Sequence, residues 1–270
     1  MRRLLAEFRR RPFDDLLIAC FPKSGSTYLS KVLQKATGLK EDYIAEFGPQ
    51  NEQDIVRRKL KRLWRRSVLQ QHVKGTRTNV EFLTTFGIRP IVQTRSLFDV
   101  VISLYDHFER DNNSLPCGHV CADYWQMTVH DRLDYLICVH LPWYYNFYLS
   151  WRDAAHKLEI FPLTYEDLFA DQTGRLTEVL NFYHFSIPPA RLQAAIAQTA
   201  NAKTRFNVGV SGRGARMLSK QHRQSIQRQA ATCRLELDEH GSIVTGLLPA
   251  TPKFVPRATS VADNSRKVAA

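Results

Sequence analysis

The chain is expected to fold as an α/β protein with a three-layer α/β/α arrangement around a central parallel sheet. Two observations carry that expectation. Short apolar runs at Leu16–Phe21, Ser67–Val73, Arg89–Thr94 and Leu158–Leu163 read as buried strands, and helical patterns lie between them. Strands that alternate with helices make βαβ units, whose sheet is parallel.

The elements follow in order. Residues 1–12 read as a short basic helix stopped by Pro12. The strand Leu16–Phe21 leads through a loop at Pro22–Thr27 into a helix at Tyr28–Thr37. A helix over about Gln53–Arg66 carries Ile55, Val56, Leu60, Leu63 and Trp64 on one side. Thr78–Phe86 and Leu97–Glu109 read as helices, and a long aromatic-rich helical stretch spans about Val120 to His156. Helices are expected again at Gly174–Phe185, Pro189–Ala200 and Ser219–Gln229. The division expected is a basic helix at 1–13, one domain at 14–250 and a mobile tail at 251–270, rich in Thr, Pro, Ser, Arg and Ala.

Composition limits the function classes. Among 270 residues, 38 are basic and 26 acidic, a net charge of +12 that favours anionic partners such as nucleotides, acidic polymers or anionic lipid. Hydrophobic residues are 44% of the chain, which argues against wholesale disorder. The apolar run at 16–21 is six residues long, against about 20 for a membrane span. Five cysteines at irregular spacing suit a reduced chain, and the expected location is cytoplasmic, with peripheral membrane contact as an option.

The loop Phe21-Pro22-Lys23-Ser24-Gly25-Ser26-Thr27-Tyr28 follows a buried strand and opens a helix. Free N–H groups and the helix dipole favour an anion there. Gly25 lets backbone approach a phosphate, Lys23 adds a point charge, and Ser24, Ser26 and Thr27 add hydroxyls. The plainer reading is a turn capped by serine and threonine. The loop is not the nucleotide-kinase pattern G-x-x-x-x-G-K-[ST], because lysine precedes the glycine. It resembles the 5′-phosphosulfate loop Y-P-K-S-G-T-T-W of the cytosolic-type sulfotransferases, which use 3′-phosphoadenosine 5′-phosphosulfate (PAPS).

Four further segments resemble that family in the same order. Gln70-Gln71-His72 ends a strand where the family carries its general-base histidine, with Gln70 in the place of a lysine. Arg95 through Asp99 to Ser103 matches the 3′-phosphate pattern R-x-x-x-D-x-x-x-S, although Arg95 and Asp99 are also spaced for a structural ion pair. Tyr165-Glu166-Asp167-Leu168 matches Y-E-D-L, whose tyrosine lies by the adenine. Phe206 to Ser219 aligns with F-R-K-G-x-x-G-D-W-x-x-x-[LF]-T through Phe206, Gly209, Gly212, Leu218 and Ser219. Asn207 and Val208 replace the Arg-Lys pair, and Arg213 and Gly214 replace Asp-Trp, so Arg205, Arg213 or Arg216 is the candidate to restore the charge.

The resemblance covers about residues 14–230 and implies a P-loop NTPase-like fold. It also implies transfer of a sulfuryl group from PAPS to a hydroxyl, ahead of an amine, with release of 3′-phosphoadenosine 5′-phosphate (PAP). By the same resemblance His72 is the base and Lys23 neutralises the leaving oxygen. Lys23, Ser24, Gly25, Ser26, Thr27, Tyr28, Arg95, Ser103, Tyr165, Arg205, Gly209 and Arg213 hold the co-substrate, with Tyr28 and Tyr165 about the adenine, and no metal is needed. The acceptor, a small molecule or a carbohydrate, is not named by the sequence.

Two other classes compete. A phosphotransferase on a related fold would need a carboxylate for magnesium after a strand, and no clear one is present. A non-catalytic polyanion-binding protein has charge alone in its favour, without a nucleic-acid motif. Cys117-Gly118-His119-Val120-Cys121 fits no standard zinc spacing. Trp143, Phe147 and Trp151 recur at helical spacing and read as core, while Tyr105, His107 and Phe108 read as walls near the acceptor. The strip Arg57–Arg66 holds seven basic residues in ten, either a solvated face or a docking strip for an anionic acceptor or membrane.

Overall fold

A computed structural model describes residues 15–46, 53–63, 66–111, 115–200 and 211–246. The expected basic helix at 1–13, the tail at 251–270, and Arg205 and Gly209 lie outside the described residues. In chain order the elements are β1 (Leu16–Cys20), α1 (Ser26–Thr37), β2 (Lys40–Asp42), α2 (Arg57–Arg62), β3 (Ser67–Gln71), α3 (Arg77–Phe86), β4 (Pro90–Thr94) and α4 (Leu97–Asp111). A 3₁₀ turn at Ala122–Gln126 precedes α5 (Val129–Val139), α6 (Leu141–Ala154), β5 (Phe161–Thr164), α7 (Tyr165–Ala170), α8 (Gln172–Phe182), α9 (Pro189–Ala200), α10 (Arg213–Met217) and α11 (Lys220–Thr232).

The five strands form one parallel sheet in the order β2-β3-β1-β4-β5. Side chains alternate along β1: Leu17 and Ala19, with Phe21 beyond them, enter the core beneath α4 and α6, while Leu16, Ile18 and Cys20 enter the core beneath α1, α8 and α9. Both faces are covered, so the inner strands read as unbroken apolar runs rather than as alternating ones. This is the three-layer α/β fold expected. Among the described residues, no helix is long and apolar enough to cross a membrane.

Several boundaries differ from expectation. β2 was not anticipated because its residues, Lys40, Glu41 and Asp42, are all charged and exposed. It is the sheet edge, where charge discourages further pairing. The expected helix at Gln53–Arg66 contracts to α2, because Ile55 bridges to Ala45 in extended form before it. The single helix expected over 120–156 is three pieces. Thr128 caps α5 by accepting from the Asp131 N–H, and Pro142 sits in the first turn of α6. β5 starts three residues late because the Lys157 and Leu158 amides still close the last turn of α6 on Ala154 O.

Candidate active site

The carboxyl ends of β1, β3 and β4 lie side by side, with β1 between its two neighbours. The chain leaves β1 for the β3 side and returns on the β4 side, the crevice where doubly wound sheets bind ligands. The turn after β1, His72 after β3 and Arg95 after β4 therefore converge.

The turn is sharply bent. Lys23 takes φ 67°, uncommon for a residue with a Cβ, and Gly25 takes φ 76°. A Cβ at Gly25 would also come within 2.9 Å of the Tyr165 ring. The Ser24 hydroxyl is committed inward, donating to Phe21 O at 2.7 Å, and Ser24 is fully buried. In this arrangement the hydroxyl braces the loop from within. Ser26 and Thr27 fall in the first turn of α1, two residues earlier than the helix expected at Tyr28, and Ser26 Oγ accepts from Gln70 Nε2 at 2.9 Å. Gln70 thus ties the end of β3 to the loop.

His72 Nδ1 lies 2.9 Å from Cys20 O, and the Gln53 side-chain oxygen accepts from the His72 backbone N–H at 2.8 Å. A carbonyl only accepts, so Nδ1 carries the ring hydrogen and Nε2 keeps its lone pair. Burial holds His72 below its usual pKa, the Cys20 carbonyl opposes this, and the charge of Lys23 adds to the lowering. The ring is therefore a neutral base near neutral pH, set beside the lysine.

Arg95 donates to Lys23 O at 3.1 Å, pairs with Asp99 at 3.3 Å and lies over the Tyr165 ring at 4.2 Å. Its spacing to Asp99 thus does form an ion pair. Asp99 does more than that: its two carboxylate oxygens accept from the Gly212 and Gly214 backbone N–H groups at 2.9 and 2.7 Å. A Cβ at Gly214 would lie 2.2 Å from the Phe98 carbonyl carbon, so only glycine fits where α10 meets α4. Arg213 pairs with Asp106 at 2.7 Å, one turn of α4 beyond the largely buried Ser103. Arg216 is exposed.

Tyr28 and Tyr165 are 4% and 2% exposed, and Phe169 packs against both, at ring separations of 5.2 and 4.4 Å. The expected pair of rings about an adenine is thus joined through Phe169, and the Tyr28 hydroxyl is spent on Gln172 at 2.8 Å. Asp99, Phe169 and Gln172 went unnamed as site residues. Only Asp99 carried a signal, its spacing from Arg95. The segment 238–243 was also unforeseen: Leu97 N–H donates to Gly241 O, and the Ser96 hydroxyl donates to His240 O, closing the start of α4.

A sulfotransferase domain model matches residues 13–229, and the chain belongs to that family of PAPS-dependent sulfuryl-transfer enzymes. Human sulfotransferase 1C2 is 21% identical over 215 residues, covering 75% of this chain and 69% of the relative. Mouse sulfotransferase SULT7A1, solved with PAP, superposes with a TM-score of 0.61 at 18% identity, covering 86% of this chain and 92% of the mouse chain. Retinol dehydratase, solved with androsterone and PAP, gives 0.55 at 14% identity, covering 83% and 81%.

Proposed function

We propose that His72 and Lys23 act on opposite ends of one transfer, from PAPS to a hydroxyl of a small-molecule or carbohydrate acceptor. The acceptor oxygen attacks sulfur as its proton passes to His72 Nε2. The bond from sulfur to the 5′-phosphate oxygen breaks, and Lys23 with the amides of the turn neutralises charge on that oxygen. The observation that supports this most directly is the His72 Nδ1 contact with Cys20 O, which leaves Nε2 as the base.

Arg95 and Ser103 are assigned to the 3′-phosphate. Arg213 is the favoured replacement for the family's Arg-Lys pair, since Asp106 holds it one turn from Ser103. Ser26, Thr27 and the amides about Gly25 are assigned to the 5′ end, and Tyr165 to the adenine side, with Phe169 beside it. For the basic strip, Arg58 and Lys59 pair with Glu46, which takes up part of the charge that an anionic acceptor or lipid would meet.

The test compares two variants on two acceptors. His72→Ala should lower kcat about 10²–10⁴-fold on an alkyl alcohol, and less on an acidic phenol already partly ionised. Its PAP affinity, read by calorimetry, should stay near wild type. Lys23→Ala should slow both acceptors alike and weaken PAP binding. Near-wild-type turnover of the alcohol by His72→Ala would end the base assignment.

A further inference from the structure

His222 occupies an odd place. It lies on the buried stripe of α11 with Ile226 and Ala230, and its side chain is 2% exposed. Its Nε2 makes no hydrogen bond. An imidazole nitrogen withdrawn from water without a close hydrogen bond is costly, so what it faces carries information.

It faces His130 and Asp134, which are one turn apart on α5. The Asp134 carboxylate lies 3.5 Å from His222 Nε2 through one oxygen and 3.5 Å from His130 Nε2 through the other. The two imidazole rings are 4.3 Å apart between centroids, and one ligand atom from each residue fits within 4.8 Å of the others. A zinc ion with bonds of about 2.0 Å needs tetrahedral ligands about 3.3 Å apart. The two contacts to Asp134 are near that spacing, each through a different oxygen, and the set as a whole, within 4.8 Å, would draw together on binding.

We propose that His130, Asp134 and His222 form a site for a first-row divalent metal of the zinc class, which clasps α11 to α5. Two imidazoles and one carboxylate suit zinc and its neighbours rather than calcium or magnesium, which seek oxygen ligands. His130 and Asp134 are half exposed and leave a fourth position for water.

Binding has one local cost. The Ser219 backbone N–H donates to His222 Nδ1 at 3.3 Å, so the ring hydrogen stands on Nε2. Coordination through Nε2 moves that hydrogen to Nδ1 and gives up the long bond. The other half of the helix cap, His222 N–H to Ser219 Oγ at 3.1 Å, remains.

The clasp lies just beyond α10, whose amide groups hold Asp99, so it would steady that segment without entering the transfer chemistry. The trio shares no residue with the proposed active site.

The test uses the full chain stripped of metal and titrated with zinc against a chromophoric chelator. One zinc per chain is expected, with a rise in Tm. His130→Ala and Asp134→Asn, both on the open side of the trio and outside the α11 cap, should each weaken zinc binding about tenfold or more. They should also abolish the Tm rise and leave kcat unchanged. Cobalt should give the visible bands of a tetrahedral site without thiolate charge transfer. No stoichiometric zinc, wild-type affinity in both variants, or a thiolate–cobalt band would overturn the proposal. The last two would place the metal on cysteines or elsewhere.

Discussion

The two ends of the proposed nucleotide site are built in different ways. The 5′ end is a contiguous turn, Phe21–Tyr28, whose shape comes from its own backbone: positive φ at Lys23 and Gly25, and Ser24 folded onto Phe21 O. The 3′ end is assembled from pieces more than a hundred residues apart, with Asp99 on α4 holding Gly212 and Gly214 at the start of α10. A local turn keeps its shape as long as its strand and helix stand. An assembled end depends on contacts between distant segments, such as those of the buried Asp99 carboxylate.

That contrast can be broken by substitution, and the largest effect belongs to the assembled end. Asp99→Ala removes the carboxylate paired with Arg95, which is 11% exposed, and strands two N–H groups. Removing one partner of such a buried pair costs about 3–5 kcal/mol. Chemical denaturation should show this loss, and PAP affinity should fall at least about tenfold. If the same stability is lost with PAP binding intact, Asp99 is structural only.

Gly214→Ala comes next. Its Cβ would meet the backbone of Phe98, which cannot swing aside. Forced repacking of this kind costs about 1–3 kcal/mol, and Tm should fall accordingly. Alanine tolerated there without change would mean that α10 does not seat against α4 as described.

Arg213→Ala should be milder for stability, since the pair with Asp106 is partly exposed and ion pairs of that kind contribute about 1 kcal/mol or less. Its effect should appear instead as weaker PAP binding that is lost at high salt, with 5′-AMP binding unaffected. Equal losses for both nucleotides would remove Arg213 from the 3′ end.

The smallest effect sharpens the 5′ side. His72 is held below the usual histidine pKa by burial and by Lys23. A base with a lowered pKa stays unprotonated further into acid, so the acid limb of kcat should lie below pH 6.5, the ordinary value. In Lys23→Gln the limb should move upward, because one of the two depressing influences is gone. A limb unmoved by that change would mean that another group titrates.

How much of this was legible beforehand follows from the same distinction. The turn after β1, His72 at the end of β3 and Arg95 at the end of β4 were readable because each sits where a short apolar run stops. β2 was not, since three charged residues carry no strand pattern and pair only because β3 offers an edge. The breaks within 120–156 were signalled by Pro142 and Thr128, but a continuous aromatic stripe concealed them.

By itself, then, the order of residues determined the strand–helix alternation, the parallel sheet and the tight turn after β1. These depend on neighbours along the chain and on a period of two or 3.6 residues. Only the tertiary structure decided that Ser24 turns inward, that Phe169 joins Tyr28 to Tyr165, and that Asp99 gathers Arg95 and the α10 amides. It likewise brought His222 to His130 and Asp134. Hydrogen bonds and ring contacts between distant segments have no period, and they exist only once the two layers have packed on the sheet.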